Sequence, residues 1–255
     1  MVLNDVDVNR RKKKLFKKYY SEIFNFKDLY PHECKFRHFR VELFSNRRRR
    51  FERIKDVFYD QDALKKRLIK IIPKNAYFTP VKWLNPIYVG KKKGETDIML
   101  SSPLYFDIDY KHLDPPTFEN ALITAKELCN YIKDEYGSMP DKVIFSGKQG
   151  FHVHHSKWDE NEILKKSPEH RINDFIKERK KITEKLHKRN ILIDPTVTPD
   201  PYRILKISHT LHGDTGLIAS NVENLNTFNP IKDSVFFPME IYTKIFSLDP
   251  SAYDI

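Results

Sequence analysis

The stretch that most constrains this chain is an apolar run at residues 104–109, in which two carboxylates lie two residues apart. Successive side chains of a β-strand point to opposite faces, so Asp107 and Asp109 would share one face while Phe106 and Ile108 enter a core on the other. Acids whose Cα atoms are about 6.5 Å apart repel each other unless a cation lies between them. The run therefore predicts a strand beside a cleft, with either a divalent metal site or a solvated carboxylate pair.

The charge balance narrows the class of partner. The chain has 255 residues, with 46 Lys and Arg against 35 Asp and Glu, which gives a formal net charge of +11. Such an excess indicates a polyanionic partner, nucleic acid first and an anionic membrane surface second, with solubility alone as the plain alternative. The sequence has no long apolar segment and no secretory signal pattern, so we expect a cytoplasmic or nuclear protein that is not secreted.

Two basic segments lie near the N-terminus. Residues 10–24 predict an amphipathic helix whose cationic face opposes the helix dipole, which favours contact with phosphates over simple solvation. Residues 36–44 alternate apolar and polar side chains as a half-buried strand does. The arginine block at 47–53 that follows is either a solvated loop or a grip for phosphates, because arginine binds phosphate oxygens in a bidentate manner.

Hydrophobic periodicity predicts the remaining elements. Helices are expected at 60–72, 118–136, 171–188 and 239–246, short extended pieces at 76–80 and 83–88, and a basic turn at 91–93. Cys129 belongs to the apolar stripe of its helix, which indicates a buried structural thiol. Cys34 and Cys129 are far apart and form no metal-ligand spacing, so neither a disulfide framework nor a cysteine-rich zinc site is indicated.

Residues 143–155 form a second informative stretch, with the pattern of a strand, a glycine-bracketed turn and another strand. Gly147 and Gly150 would let backbone N–H groups approach a ligand closely, while Ser146 adds a hydroxyl and Lys148 a cation. The pattern fits a triphosphate cradle or a purely structural hairpin. His152 and a second histidine two residues later would share one face of the strand.

A third stretch, residues 191–194, predicts an apolar strand that ends in the carboxylate of Asp194. Beyond it, Lys206 and His212 lie near Gly213 and a further glycine at position 216. As in the stretch at 143–155, basic and imidazole side chains lie close to glycines in the sequence.

The three motifs resemble those of the catalytic small subunit of archaeo-eukaryotic DNA primase in order and spacing. The matching segments are FDID at 106–109, FSGKQGFH at 145–152, and Asp194 with Lys206 and LHGDTGL at 211–217. The resemblance implies an α+β, primase-type fold with mixed sheets and flanking helices, and the shortage of cysteines predicts that this chain has no zinc knuckle. The resemblance also implies a single catalytic domain over 1–255, with helical elements at 110–140 and 156–190 between the motif-bearing strands.

The same resemblance implies the site. Asp107, Asp109 and Asp194 would bind two divalent ions, Mg²⁺ or Mn²⁺, with no structural zinc. The residues expected to hold the nucleotide are Ser146, Lys148, His152, Lys206, His212 and Arg50, or a neighbour of Arg50 in the arginine block. The implied activity is synthesis of short RNA primers, or DNA, from nucleoside triphosphates on single-stranded DNA, in a heterodimer with a primase large subunit.

Three positions depart from the family pattern. His38 stands where the family usually has glutamate, so no role is transferred to it. Only Cys129 lies where many relatives carry a zinc knuckle. Lys148 and Gln149 replace a more basic pair, which predicts weaker nucleotide binding. Two alternatives remain: a repair-type or plasmid-type primase-polymerase that extends primers, and a non-catalytic protein that binds single-stranded nucleic acid.

Overall fold

The structure is a computed structural model that describes residues 5–24, 27–45, 49–90, 97–156 and 165–253, with side chains of the first helix described from residue 7 onward. The described helices are α1 (Asp5–Glu22), α2 (Gln61–Ile71), α3 (Phe118–Tyr136), α4 (Pro168–Lys188), α5 (Pro230–Asp233) and α6 (Met239–Phe246). Short 3₁₀ turns cover Cys34–Phe36, Tyr110–His112 and Pro250–Tyr253. The described residues exclude the predicted basic turn at 91–93, residues 47 and 48 of the arginine block and residues 157–164 of the second helical element.

The strands form three sheets. They are β1 (Phe39–Leu43), β2 (Arg50–Ile54), β3 (Asn75–Phe78), β4 (Lys82–Trp83), β5 (Met99–Ser101), β6 (Leu104–Asp109), β7 (Lys142–Phe145), β8 (Gly150–His155) and β9 (Leu205–Lys206). Their orders are β2-β1-β3-β9, β4-β5 and β6-β8-β7. The predicted α+β class is confirmed; within the described ranges the strand pairs are all antiparallel, rather than of both kinds.

Local sequence signals set the ends of α3, which matches its predicted bounds. Thr117 caps the N-terminus by accepting a hydrogen bond from the backbone N–H of Asn120. At the other end Gly137 adopts a left-handed conformation with φ of 76°, which glycine tolerates well. The buried stripe of this helix includes Cys129, as predicted, and this residue is 3% exposed. The predicted helices at 60–72 and 239–246 are confirmed as α2 and α6.

Helix α3 covers one face of the β6-β8-β7 sheet. The ring of Phe118 lies 6.0 Å from that of Phe145 and 5.8 Å from that of Phe151. Phe106 and Ile108 are fully buried, as predicted for the inward face of β6. Because side chains alternate along a strand, Asp107 and Asp109 lie on the opposite face, away from α3.

Of two strand predictions, the one at 36–44 is confirmed as β1 with shorter bounds and deeper burial, and the one at 191–194 is wrong. The strand predicted at 36–44 begins only at Phe39, because Cys34–Phe36 form a 3₁₀ turn. It is also not half-buried: β1 pairs with β2 on one side and β3 on the other, and Glu42 is 1% exposed. Residues 191–194 are a loop rather than a strand. No helix in the described ranges is long and apolar enough to cross a membrane.

Candidate active site

The acids of β6 face the glycine-bracketed hairpin formed by β7 and β8. In the β6–β8 register, Asp107 lies opposite His152 and Asp109 lies opposite Gly150. Cross-strand partners share a face, so the imidazole of His152 stands beside the Asp107 carboxylate, with Nε2 3.5 Å from Oδ1. The strand pairing therefore explains why acids and hairpin meet, although they are about forty residues apart.

Asp194 joins this edge from the loop that follows α4. Its backbone N–H donates a 2.8 Å hydrogen bond to the carbonyl oxygen of Asp107. Its side chain accepts hydrogen bonds from the N–H and hydroxyl of Thr196, and Oδ2 lies 3.6 Å from Nε2 of His112. The third predicted acid is thus attached to the strand that carries the other two.

Burial and mutual repulsion perturb the acids. Burial raises the pKa of Asp107 to about 7, and the charges of Asp109 and Asp194 raise it in the same direction. The carboxylate of Asp109 is paired with Lys111, at 3.1 Å from Nζ. The edge therefore carries more negative charge than its own side chains neutralise.

The three acids fit divalent metal ions in donor chemistry. Mg²⁺ and Mn²⁺ prefer carboxylate oxygens, and a bound cation would relieve the repulsion that raises the pKa of Asp107. Among the described residues, no three His, Cys, Asp or Glu side chains converge closely enough to hold one ion. To share an ion, Asp109 and Asp194 would have to turn away from Lys111 and His112.

The two glycines of the hairpin allow close approach of neighbouring backbone. A Cβ on Gly150 would lie 2.3 Å from the carbonyl oxygen of Ile108. Gly147 has φ of +86°, and a Cβ there would lie 2.8 Å from the Cβ of His212. The hydroxyl of Thr215 also donates to the carbonyl oxygen of Gly147. The glycines thus let the 211–217 turn pack against the hairpin and bring His212 to the acids.

These elements enclose a cavity of about 280 Å³. Its lining includes most of the predicted site residues, namely Asp107, Asp109, Ser146, Lys148, His152 and His212. Three others do not line it: Asp194, which is hydrogen-bonded to β6; Lys206, which lies behind Asn75; and Arg50. Arg50 extends from β2 into an exposed ion pair with Glu52 at 2.5 Å, and Arg49 lines the cavity instead.

Both cavity histidines are neutral near pH 7. Burial, followed by the charge of Lys206, lowers the pKa of His152 to about 3. The pKa of His212 is also lowered well below its ordinary range, first by burial and then by Lys206. Each imidazole therefore offers one N–H donor and one acceptor, and the contact between His152 and Asp107 is not an ion pair.

The sequence did not single out Glu42, Lys74, Asn75 or Asp214. Glu42 and Asn75 lie opposite each other on β1 and β3, and Lys74 lies 3.3 Å from the carboxylate of Asp214 at the cavity wall. A polar residue in a short strand is normally expected to face solvent, so the neighbouring sequence does not indicate that Glu42 and Asn75 are buried. Asp214 was inside the recognised 211–217 motif, and its position there was the only available signal.

The sequence relatives described below are all named DNA primase small subunit PriS. No protein-family model matches the chain. The DNA primase small subunit PriS of Archaeoglobus fulgidus is 27% identical over 230 residues, covering 67% of this chain and 68% of the relative. Those of Pyrobaculum islandicum and Methanocaldococcus jannaschii are 29% and 26% identical, covering 64% and 72% of each chain. The matches thus span about two thirds of the length of these relatives.

Among solved structures, the polymerase domain of ligase D from Mycobacterium tuberculosis, in complex with DNA, has the same fold. The TM-score is 0.53 at 9% identity, and the match covers 97% of this chain and 93% of that one. At this identity the likeness concerns the fold alone. The chain is thus similar in sequence to archaeal DNA primase small subunits and shares its fold with a ligase D polymerase domain.

Proposed function

We propose that the chain is the catalytic subunit of a DNA primase, which synthesises short RNA primers, or DNA, from nucleoside triphosphates on single-stranded DNA. The observation that carries the proposal is the cavity in which Asp107 and Asp109 face Lys148 and His212, with Asp194 hydrogen-bonded to the same strand. Relatives named DNA primase small subunit support it. A primase large subunit is part of the proposal as the partner.

In this mechanism Asp107, Asp109 and Asp194 would hold two divalent ions, Mg²⁺ or Mn²⁺, and the chemistry these would supply is activation of the 3′-hydroxyl of the growing strand and stabilisation of the leaving pyrophosphate. The neutral imidazoles of His152 and His212 donate N–H groups to the nucleotide. Lys148 supplies a mobile positive charge beside them, and Arg49 supplies a planar pair of donors suited to phosphate. Positioning and charge neutralisation therefore account for most of the rate.

The exposed face of α1 supports template binding. Its exposed cations are Arg10, Arg11, Lys13, Lys14, Lys17 and Lys18. The helix reaches the edge of the cavity, because Lys12 Nζ donates a 3.3 Å hydrogen bond to the carbonyl oxygen of Asp214. Each phosphate neutralised by a lysine or arginine also contributes to salt-dependent affinity.

Primer synthesis on a single-stranded template tests the proposal directly. Purified protein with Mg²⁺ or Mn²⁺ and nucleoside triphosphates should form dinucleotides and longer products without a supplied primer. Asp107→Asn should lower incorporation by at least about a hundredfold, because it removes charge where the ions bind. Asp174→Asn is the matched control, since Asp174 is an ion-paired aspartate on α4, 2.9 Å from Lys166. It should leave the rate unchanged.

The outcomes separate the alternatives. Extension of a supplied primer without initiation would favour a repair-type or plasmid-type primase-polymerase. Binding of single-stranded DNA with no incorporation would favour the non-catalytic alternative. Equal incorporation by wild type and Asp107→Asn would contradict the acid mechanism.

A further inference from the structure

Glu42 is a buried carboxylate at the centre of the β2-β1-β3-β9 sheet, and its side chain is 2% exposed. Arg49 donates to it from Nε at 3.1 Å and from Nη2 at 3.3 Å, a bidentate arrangement. Lys74 Nζ lies 3.4 Å from Oε1, and Asn75 Nδ2 donates to Oε2 at 2.7 Å. A buried charge is tolerated only when it is paired and hydrogen-bonded, so this carboxylate depends on all three partners.

Glu42 also determines which way Asn75 points. A carboxylate only accepts hydrogen bonds, so the amino group of Asn75 must face Glu42 and its carbonyl oxygen must face away. That oxygen accepts hydrogen bonds from Lys206 Nζ and from the backbone N–H of Gly213, the latter at 3.0 Å. Gly213 follows His212, which lines the cavity. One carboxylate is thus connected to a lysine on β9 and to the turn that presents His212.

The strand register keeps this network on one surface. Glu42 lies opposite Asn75, and Tyr77 lies opposite Lys206. Asn75 and Tyr77 are two residues apart on β3, so all four side chains share one face of the sheet. The network therefore forms a continuous polar layer behind the cavity wall.

We propose that Glu42 is a positioning residue of the nucleotide site. It orients Arg49 and Lys74 directly for contact with a triphosphate. Through Asn75 it also orients Lys206 and the turn that carries His212. The inference rests on the proposed function, because the triphosphate is the ligand that these cations would share. Glu42 itself does not contact the nucleotide. It fixes where the cationic groups stand before the nucleotide arrives, so less ordering remains to be done on binding.

The charge state of the network is consistent with this role. Burial alone would raise the pKa of Glu42, but hydrogen bonds from Arg49 and Asn75 and the charge of Lys74 lower it below its ordinary value. Burial lowers the pKa of Lys206 to about 7, while Glu42 and Asp214 oppose that decrease. The groups facing Lys206 are Glu42 on β1, Tyr77 on β3, His152 on β8, His212 and Asp214 on the turn, Lys74 and Arg49.

Glu42→Gln tests the proposal, because glutamine keeps the size of the side chain and removes its charge. ATP affinity is measured by isothermal titration calorimetry without added divalent ions, and steady-state incorporation gives KM and kcat. We expect ATP affinity to fall and KM to rise, each about tenfold, with kcat changed less than about threefold, since charge-assisted hydrogen bonds to Arg49 are lost. The pH at which ATP affinity declines should also move to lower values, because Lys206 loses its attracting charge.

Two further variants keep the test decisive if Glu42→Gln unfolds. Arg49→Ala acts at a side chain that is 65% exposed, so it removes one arm of the network without leaving a cavity. Asn75→Ala removes the link to Lys206 and Gly213 while the pairing of Glu42 with Arg49 remains. Each should weaken ATP binding, but they should move the pH at which affinity declines in opposite directions. Arg49→Ala should raise it, because the Arg49 charge lowers the pKa of Lys206. Asn75→Ala should lower it, because the Lys206 ammonium loses a hydrogen-bond acceptor.

The matched control is Glu135→Gln, which removes the same charge from an ion pair with Lys185 at 2.5 Å between α3 and α4. It should alter neither KM nor the pH profile. Unchanged ATP affinity in folded Glu42→Gln, with wild type active, would overturn the positioning role alone. An equal loss of kcat and affinity with an unmoved pH profile would assign Glu42 a merely structural role. A wild-type protein that neither binds ATP nor incorporates nucleotides would overturn the proposed function as well.

Discussion

Lys206 should lower the stability of this protein, so its replacement by methionine should raise stability. Lys206 is 2% exposed and lies on the polar face of the β2-β1-β3-β9 sheet. Burial there lowers its pKa from the ordinary 10.5 to about 7. Lys206→Met keeps most of the side-chain volume and removes the ammonium group. A residue retained at a cost in stability is typical of a functional site.

The size of the effect follows from the difference in pKa between the folded and unfolded chain. At pH 7 and below, keeping a lysine with a pKa of about 7 charged in the fold costs about 4 to 5 kcal/mol relative to the unfolded chain. Loss of the hydrogen bond to Asn75 offsets about 1 kcal/mol of the gain. We therefore expect Lys206→Met to raise the free energy of unfolding by about 3 kcal/mol at pH 7.

The sign of the pH dependence is a sharper test than the absolute value. Between the folded pKa of about 7 and the unfolded 10.5, the unfolded wild type binds more protons, so its stability rises with pH. The cost of the buried lysine falls to about 2 kcal/mol at pH 9. The advantage of Lys206→Met should therefore shrink by about 2 kcal/mol between pH 7 and pH 9.

Urea unfolding in metal-free buffer at both pH values measures this directly, because the transition midpoint reports the free energy of unfolding. Lys185→Met, at an exposed lysine, is the control and should change stability little at either pH. A Lys206→Met protein that is no more stable than wild type at pH 7, or whose advantage is the same at pH 9, would refute the reasoning.

Two further predictions concern the glycines and the basic helix. Gly150→Ala should lower the free energy of unfolding by more than about 2 kcal/mol, because the added Cβ would lie 2.3 Å from the Ile108 carbonyl oxygen. Gly137→Ala, at an open position with φ of +76°, should cost only about 1 kcal/mol, and equal losses in urea unfolding would contradict the close approach. Reversing three lysines of α1 to glutamate should weaken binding of single-stranded DNA and reduce its salt slope by about 2. The reversed lysines are Lys13, Lys14 and Lys17, and the control reversals on α4 are Lys177, Lys180 and Lys181. Fluorescence anisotropy at several salt concentrations measures the slopes, and an equal decrease in both triple variants would indicate a net-charge effect only.

The sequence was sufficient for the parts of the site that short motifs encode. Alternation placed Asp107 and Asp109 on one face of a strand, and the glycine-bracketed turn predicted the β7–β8 hairpin, which the structure confirms. The roles of these residues in catalysis and nucleotide binding remain predictions. Both features depend on neighbours within about six residues, which is the range over which periodicity and turn chemistry are informative.

What the sequence could not provide depends on contacts between distant segments. Glu42 reads as a polar position on a half-buried strand, and it is buried only because β1 pairs on both sides and Arg49, Lys74 and Asn75 surround it. Residues 191–194 are apolar enough for a strand, but they meet β6 through the backbone N–H of Asp194 and remain a loop. In the arginine block, four consecutive identical residues leave the register undetermined, and only the fold distinguishes Arg49 from Arg50.

The attachment of Asp194 has a consequence for how the site can be observed. Its amide proton is held by the Asp107 carbonyl oxygen at 2.8 Å, in a loop outside any sheet. An amide exchanges with solvent only when its hydrogen bond opens, so the deuterium uptake of this single position reports how often the third acid separates from the other two. The exchange rate of this one amide therefore measures how stably the three acids are held together, and it can be measured in the absence of substrate.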